Sequence, residues 1–247
     1  MFYVTGDTHG EIGRFIHEEE PIQKVLTSGD KLFVAGDFGY LYYSDGIRRV
    51  REEEDLDFLA KKPYQILFVD GNHENFDILN EYPVEEWCGG KVHVIRRDAS
   101  GEPKVIHLMR GQVFEIEGKK IFTFGGGYSI DKEDRLEGRS WWPQEMPTDA
   151  EMKEAGINLA KHGYKVDWIL THGAPEETMN LFYPNHAEEK PLNNFLEWVC
   201  EKVDYKYWYF GHLHEDKDLY RNQSVLWFTV KNMETNESVE ADDLTEE

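Results

Sequence analysis

Short apolar runs alternate with polar punctuation along this chain. Residues 2–5, 32–35, 66–69 and 207–210 are four-residue blocks dominated by aliphatic and aromatic side chains, and 167–170 follows the same plan behind an aspartate. Blocks this short read as buried strands rather than helices, and each stops at a glycine or a polar cluster where the backbone can turn. Helical spacing fills the intervals. One helix is predicted over 12–19. A second runs from a Ser44 cap to about residue 61, with Ile47, Val50, Phe58 and Leu59 on its apolar stripe and the charges of 48–57 on a solvated face. A short helix is expected around 76–80. Thr148 and Glu151 make a capping box for a helix ending near His162-Gly163. Pro191 occupies the first turn of a helix reaching 203, with Leu192, Phe195, Leu196 and Val199 on one side.

The middle of the chain changes character. Strands are predicted at 92–95, 105–109, 112–117 and 121–124, the last two joined by a turn at Glu117-Gly118-Lys119. Gly125-Gly126-Gly127 lacks the lysine and spacing of a phosphate-binding P-loop, so a sharp chain reversal is expected there. Residues 128–147 form a polar and aromatic excursion, either a cap loop or a substrate wall. A last strand is predicted at 225–230.

Composition bounds the possibilities. A chain of 247 residues, 40% of them hydrophobic, can build one sizeable core, and 1–232 reads as a single domain followed by an acidic tail at 233–247. Lysine and arginine number 27 against 49 aspartates and glutamates, a net charge of -22 with pI near 4.8. That field disfavours anionic membranes and long nucleic acid, whose sequence-independent binding needs many basic contacts. Divalent cations in a cleft would invert the sign locally. Cys88 and Cys200 lie far apart without zinc-ligand spacing, which fits a reducing cytoplasm. The first residues lack a signal-peptide pattern, and no apolar stretch is long enough to cross a bilayer.

Candidate chemistry gathers where the strands stop. Asp7 and His9, then Asp37, then Asn72, His73 and Glu74, then His172, and finally His212 and His214 each follow an apolar run. If those strands share a sheet, the groups meet at one edge, where open α/β sheets bind ligands. Carboxylate, imidazole and amide donors without thiolate suit Mn²⁺, Fe or Zn²⁺. Asp-x-His and His-x-His each place two donors on one side of an extended segment. Taken singly, such residues are more often caps, turn formers or core histidines. Five strand ends repeating the pattern argue for a shared site, with Asp37 as the carboxylate able to bridge two ions.

Gly6-Asp7-Thr8-His9, Gly36-Asp37, Gly71-Asn72-His73-Glu74, Thr171-His172-Gly173 and Gly211-His212-Leu213-His214 resemble the five ordered motifs of the calcineurin-like metallophosphoesterase superfamily. The resemblance spans Gly6 to His214. It implies an α/β fold arranged as a four-layer α/β/β/α sandwich with mixed sheets, and a metal-dependent phosphatase or phosphodiesterase. It also implies two divalent ions, above all Mn²⁺, with Fe or Zn²⁺ as alternatives. One would be held by Asp7, His9, Asp37 and His214, the other by Asp37, Asn72, His172 and His212. In the family a bridging hydroxide attacks phosphorus in line, and His73 would assist the leaving oxygen as a protonated imidazole.

The chain departs from the Ser/Thr protein phosphatase branch at the second motif. Gly36-Asp37-Phe38-Gly39-Tyr40 stands where that branch has Gly-Asp-x-x-Asp-Arg-Gly, so its phosphate-gripping arginine is missing. His212-Leu213-His214 is closer to the phosphodiesterase and nuclease branches. Arg135 and Arg139, in the excursion, are candidate substitutes, since guanidinium matches phosphate geometry. Trp141 and Trp142 either pack the excursion onto the domain or stack on a nucleobase. His17, His93, His107, His162 and His186 lie outside the motifs and read as structural or exposed. The expected substrate is a phosphorylated small molecule, a nucleotide or a phosphopeptide. The alternatives are a non-catalytic metal-binding scaffold of the same fold, or a nuclease acting on short single strands.

Overall fold

The computed structural model describes residues 1–183 and 186–239. Strands and helices are numbered in chain order. In the first of two sheets, β1 (Phe2–Thr5), β2 (Lys31–Val34), β3 (Gln65–Phe68) and β6 (Pro103–Leu108) are parallel neighbours. Antiparallel β13 (Lys231–Asn232) closes one edge, and β5 (Gly90–Arg97) then β4 (Val84–Trp87) close the other. In the second sheet β8 (Lys119–Phe124), β9 (Trp168–Thr171), β10 (Tyr207–Phe210) and β12 (Gln223–Val225) are parallel. Antiparallel β7 (Gln112–Ile116) and β11 (Lys217–Asp218) flank them.

The period-two alternation of strand side chains builds three apolar layers. Tyr3, Leu32, Val34, Ile66 and Phe68 face α1 (Pro21–Val25), α2 (Gly46–Leu59) and α3 (Phe76–Leu79), which supply Ile22, Leu56, Leu59 and Leu79. Their neighbours Phe2, Val4, Phe33 and Leu67 point the other way and meet Phe114, Ile121, Trp168, Leu170 and Tyr209 of the second sheet. Phe122, Ile169, Trp208 and Phe210 then face α4 (Asp149–Lys161) and α6 (Lys190–Lys202), with Met179 of the short α5 (Glu176–Met179) beside them. Each fully buried large side chain contributes about 1.5–3 kcal/mol. The result is the expected four-layer α/β/β/α sandwich.

Several local expectations give way to tertiary contacts. The helix expected over 12–19 is a 3-10 turn, Ile12–Phe15, followed by α1. Arg14 is drawn inward, donating to the Asp7 carbonyl at 2.9 Å and the Thr5 hydroxyl at 2.6 Å, and Pro21 starts a new helix. Ser44 does not cap α2; its Oγ accepts from the Asn75 amide at 3.0 Å. Ile47 and Val50 are exposed, whereas Glu52 on the supposed solvated face is buried and accepts the Tyr42 and Tyr43 N–H groups. β4, not anticipated, pairs at the sheet edge with alternating exposure. The strand expected at 225–230 stops at Val225, because the Asp216 carboxylate takes the N–H groups of Trp227, Phe228 and Thr229 at 2.8–3.0 Å. The tail does not separate at 233: Met233 is fully buried and its N–H donates to the Phe2 carbonyl at 2.9 Å. Positions 240–247 lie outside the described residues. Within 128–147, Trp142 packs inward at 2% exposure and donates to Asp77 at 2.9 Å. No helix of the described residues is long and apolar enough to cross a membrane.

Candidate metal centre

Parallel strands β1, β2, β3, β9 and β10 present their carboxyl ends at one edge, and the candidate donors follow them. The turns bring backbone and carboxylate unusually close. A Cβ at Gly71 would lie 2.0 Å from Asp37 Oδ1, and one at Gly211 2.0 Å from Asp7 Oδ1. Four of the donor residues, His9, Asp37, His212 and His214, hold left-handed backbone with φ of 46°, 45°, 67° and 51°. Each such conformation costs of order 1–3 kcal/mol and persists only where its surroundings enforce it.

Asp7 and Asp37 are each 1% exposed. The two Asp7 oxygens accept the His212 N–H at 3.1 Å, and Asp37 Oδ1 accepts the His73 N–H at 2.8 Å. Burial pushes the Asp37 carboxyl up, but the imidazoles of His172, His73 and His9 outweigh it and hold the group below the usual carboxylate range. One donor group is compact: Asp7, His9, Asp37 and His214 offer ligand atoms all within 4.8 Å of one another. The Nε2 atoms of His9 and His214 approach to 2.9 Å, and His214 Nε2 lies 3.2 Å from Asp7 Oδ2. That bond to Asp7 raises the pKa of the exposed His214 ring, outweighing its partial desolvation.

The neighbouring group is built around an amide. Asn72 Nδ2 donates to Ser129 Oγ at 3.1 Å, so Oδ1 is the atom turned toward His172 Nε2 and His212 Nδ1, 3.0 Å from each. His172 Nδ1 lies 2.9 Å from the Ala35 carbonyl, so its other ring nitrogen, Nε2, is the one turned to Asn72. The far nitrogen of His212, Nε2, lies 3.5 Å from Oε1 of buried Glu189, an oxygen with no hydrogen-bond partner. Burial lowers the His212 pKa, but Glu189, Asp37 and Asp7 prevail and raise it. His172 Nε2 also lies 3.5 Å from Asp37 Oδ1, so Asp37 adjoins both groups. Converging oxygen and imidazole acceptors without thiolate fit divalent cations.

Both groups open into a cavity of about 640 Å³, whose lining includes Asp37, Asn72, His73, Arg135, Tyr183 and His214. Arg135 spans the His73 ring, with Nη1 3.2 Å from Nδ1 and Nη2 3.2 Å from Nε2, and Asp131 anchors its Nε at 2.8 Å. Burial, helped by Arg135 and opposed by Asp37, pulls the His73 pKa down to about 4. That burial favours the neutral ring over the protonated imidazole expected for it. Arg139 is exposed and outside the cavity lining, unlike Arg135. His93 and His107 pair in the interior, Nδ1 to Nδ1 at 3.1 Å, with His107 Nε2 on Asp70 at 3.1 Å. His186, set aside with them, lines the cavity with its ring 5.5 Å from that of Tyr128. Tyr128, Ser129, Tyr183 and Glu189 escaped the sequence reading because no motif marks them.

A carboxylate–imidazole edge on a two-sheet α/β sandwich is an arrangement suited to divalent cations. A family model described as calcineurin-like phosphoesterase matches residues 1–216, and the chain belongs to that family. It is similar to lariat debranching enzymes of Schizosaccharomyces pombe and Drosophila melanogaster, each at 26% identity. These matches cover 62% and 85% of this chain but only 34% and 42% of those proteins, so it spans less than half their length. A solved structure of a candidate 5'-nucleotidase from Staphylococcus aureus, in complex with alpha-ketoglutarate, shares the fold. Its TM-score is 0.50 at 15% identity, over 97% of this chain and 52% of that one.

Proposed function

We propose that the chain hydrolyses phosphate esters at a dinuclear centre. Asp7, His9, Asp37 and His214 would hold one divalent ion, and Asp37, Asn72, His172 and His212 the other, with Asp37 shared. The observation that carries this reading is the Asn72 Oδ1 atom, which faces two imidazole nitrogens at 3.0 Å beside a complete second set of donors. The donor chemistry suits Mn²⁺, and Fe or Zn²⁺ equally satisfy it. Such ions, when bound, polarise phosphoryl oxygens and make water a nucleophile at neutral pH.

The chain's own side chains supply the rest. Arg135, held by Asp131, grips a phosphate oxygen and provides the positive charge that neutral His73 cannot. His73 then serves as a hydrogen-bonding partner of the departing ester oxygen. Tyr128, Ile130, Met179, Tyr183 and Leu213 give the cavity an apolar flank for the organic half of the ester. A small phosphorylated molecule or nucleotide fits about 640 Å³, and a phosphopeptide could enter by its phosphorylated side chain. Short single strands are the second reading, favoured by the exposed aromatic ring of Tyr183 at the mouth and by the debranching relatives. The free thiols Cys88 and Cys200 agree with a cytoplasmic location.

Asp37→Asn tests the function directly. With p-nitrophenyl phosphate and bis-p-nitrophenyl phosphate as substrates and Mn²⁺ added, the variant should lose at least about 100-fold in rate, and elemental analysis should show fewer than the two ions per chain of the wild type. Equal rates in variant and wild type would refute the assignment.

A further inference from the structure

An amide side chain can present either oxygen or nitrogen to a cation, and only the oxygen binds one. Something must decide which way Asn72 points. The structure shows what touches its other end. Asn72, Ser129 and Glu145 are 6%, 1% and 1% exposed, so water cannot arbitrate. Glu145 ends a 3-10 turn, Pro143–Glu145, in the excursion that follows the glycine triplet. Its Oε1 accepts the Ser129 N–H at 3.0 Å and its Oε2 accepts the Ser129 hydroxyl at 2.6 Å.

A serine hydroxyl has one proton. Having given it to Glu145, Ser129 Oγ has only lone pairs left for Asn72, and so accepts Nδ2–H at 3.1 Å. Asn72 Oδ1 is then forced toward His172 and His212. The turn carrying Glu145 is itself fixed from behind. Its carbonyl accepts from Arg110 Nη2 at 3.2 Å and from the Gly127 N–H at 3.2 Å, and Arg110 is clamped onto Asp70, two residues before Asn72.

We propose that Ser129 and Glu145 are positioning residues: a buried relay, Glu145 to Ser129 to Asn72, that locks the Asn72 amide with its oxygen toward the second cation. The inference rests on the dinuclear reading above, and it gives the 128–147 excursion a role besides that of a wall. Outer partners of metal ligands typically change affinity 10- to 100-fold when lost.

The test measures Mn²⁺ binding to the purified full chain by calorimetry and by electron paramagnetic resonance. Ser129→Ala should keep the first ion at wild-type affinity and bind the second 10- to 100-fold more weakly, so that one equivalent of Mn²⁺ per chain gives a mononuclear six-line spectrum. A symmetric carboxylate needs no orienting. In an Asn72→Asp background, adding Ser129→Ala should therefore change second-ion affinity less than threefold, and Glu145→Ala should behave like Ser129→Ala in both backgrounds. Two tightly bound ions in Ser129→Ala, equal losses at both ions, or the same loss with Asp as with Asn at position 72 would each overturn the relay. Fewer than two ions in the wild type would instead overturn the dinuclear reading beneath it.

Discussion

Replacing Arg110 by methionine keeps the bulk of the side chain and removes the charge, and its effect can be worked out from the surroundings. Arg110 Nε and Nη2 donate to Asp70 Oδ2 at 2.8 and 2.6 Å, and Nη2 also reaches the carbonyls of Gln144 and Glu145. Asp70 is 1% exposed and would keep only His107, at 3.1 Å. Removing one member of a buried ion pair costs about 3–5 kcal/mol, because the partner charge stays behind. A cavity of about 280 Å³ bordered by His93, His107 and Arg110 admits water to the orphaned carboxylate, so about 3 kcal/mol is expected at pH 7. That is a large share of a total stability of about 5–15 kcal/mol. The pH dependence has a definite sign. In the wild type burial raises the Asp70 pKa, but Arg110 and His107 outweigh it and hold the group below the carboxylate range. Its contribution is thus present above the unfolded value of about 3.9 and is lost only as pH falls below that. In the variant burial acts almost alone, the folded pKa rises, and the deficit shrinks as the carboxyl takes up a proton. Urea unfolding followed by tryptophan fluorescence should show the full loss at pH 8 and a smaller one at pH 5, with Asp70→Asn restoring most of it in the double variant. A loss below about 1 kcal/mol at pH 8, or one that does not change with pH, would refute the reasoning.

Arg135→Ala should raise KM for p-nitrophenyl phosphate about tenfold or more, since a charge-assisted bond to phosphate is worth about 1.5–3 kcal/mol. Arg139→Ala, at an exposed position outside the cavity, should leave steady-state kinetics within twofold of wild type. Gly211→Ala places a Cβ 2.0 Å from Asp7 Oδ1 and 2.7 Å from the Ala35 carbonyl, so it should lower thermal stability by about 1–3 kcal/mol and reduce bound metal as measured by elemental analysis. Because Asp7 raises the pKa of His214 above 6.5 in the metal-free protein, protons should compete with Mn²⁺ from above that value, and calorimetry should show affinity falling steadily from pH 8 to pH 6. Affinity independent of pH in that interval would exclude His214 as a ligand.

What the sequence disclosed and what it withheld divide along a physical line. β1 and β10 run over the predicted residues because four apolar residues between turn signals leave few alternatives. The capping box of α4 is equally local, Thr148 and Glu151 each bonding the other's backbone. The candidate donors could be placed at strand ends for the same reason, since strand, glycine and polar residue stand next to one another in the chain. Glu52 was misread because its partners, the N–H groups of Tyr42 and Tyr43, lie on a loop whose path no propensity encodes. Ser129 meets Asn72 across 57 positions, and Glu145 reaches Ser129 across 16. Neither type nor spacing marks them as supports of a site. The pull toward a neutral His73 ring was hidden too, since it depends on burial and on Arg135 arriving from the excursion.

The charge of the whole chain and the charge of its cavity act at different ranges, and together they bear on substrate choice. Arg135 is the one lysine or arginine among the described residues lining the cavity, and Asp131 already neutralises it. Without cations the pocket therefore offers an anion almost nothing. Two divalent ions set against the carboxylates of Asp7, Asp37 and Glu189 would leave a net charge of about one positive at its floor. At 4 Å a unit pair near a protein surface is worth about 4 kcal/mol, whereas exposed charges more than about 8 Å away are largely screened at physiological salt. A short ester can thus bring one phosphate into the attractive zone and leave little else in the field of -22. A long strand must lay further phosphates along a chain whose net charge is -22, where repulsion prevails. On this balance metal loading should govern KM as well as kcat, and the preference for short substrates should weaken as salt is added.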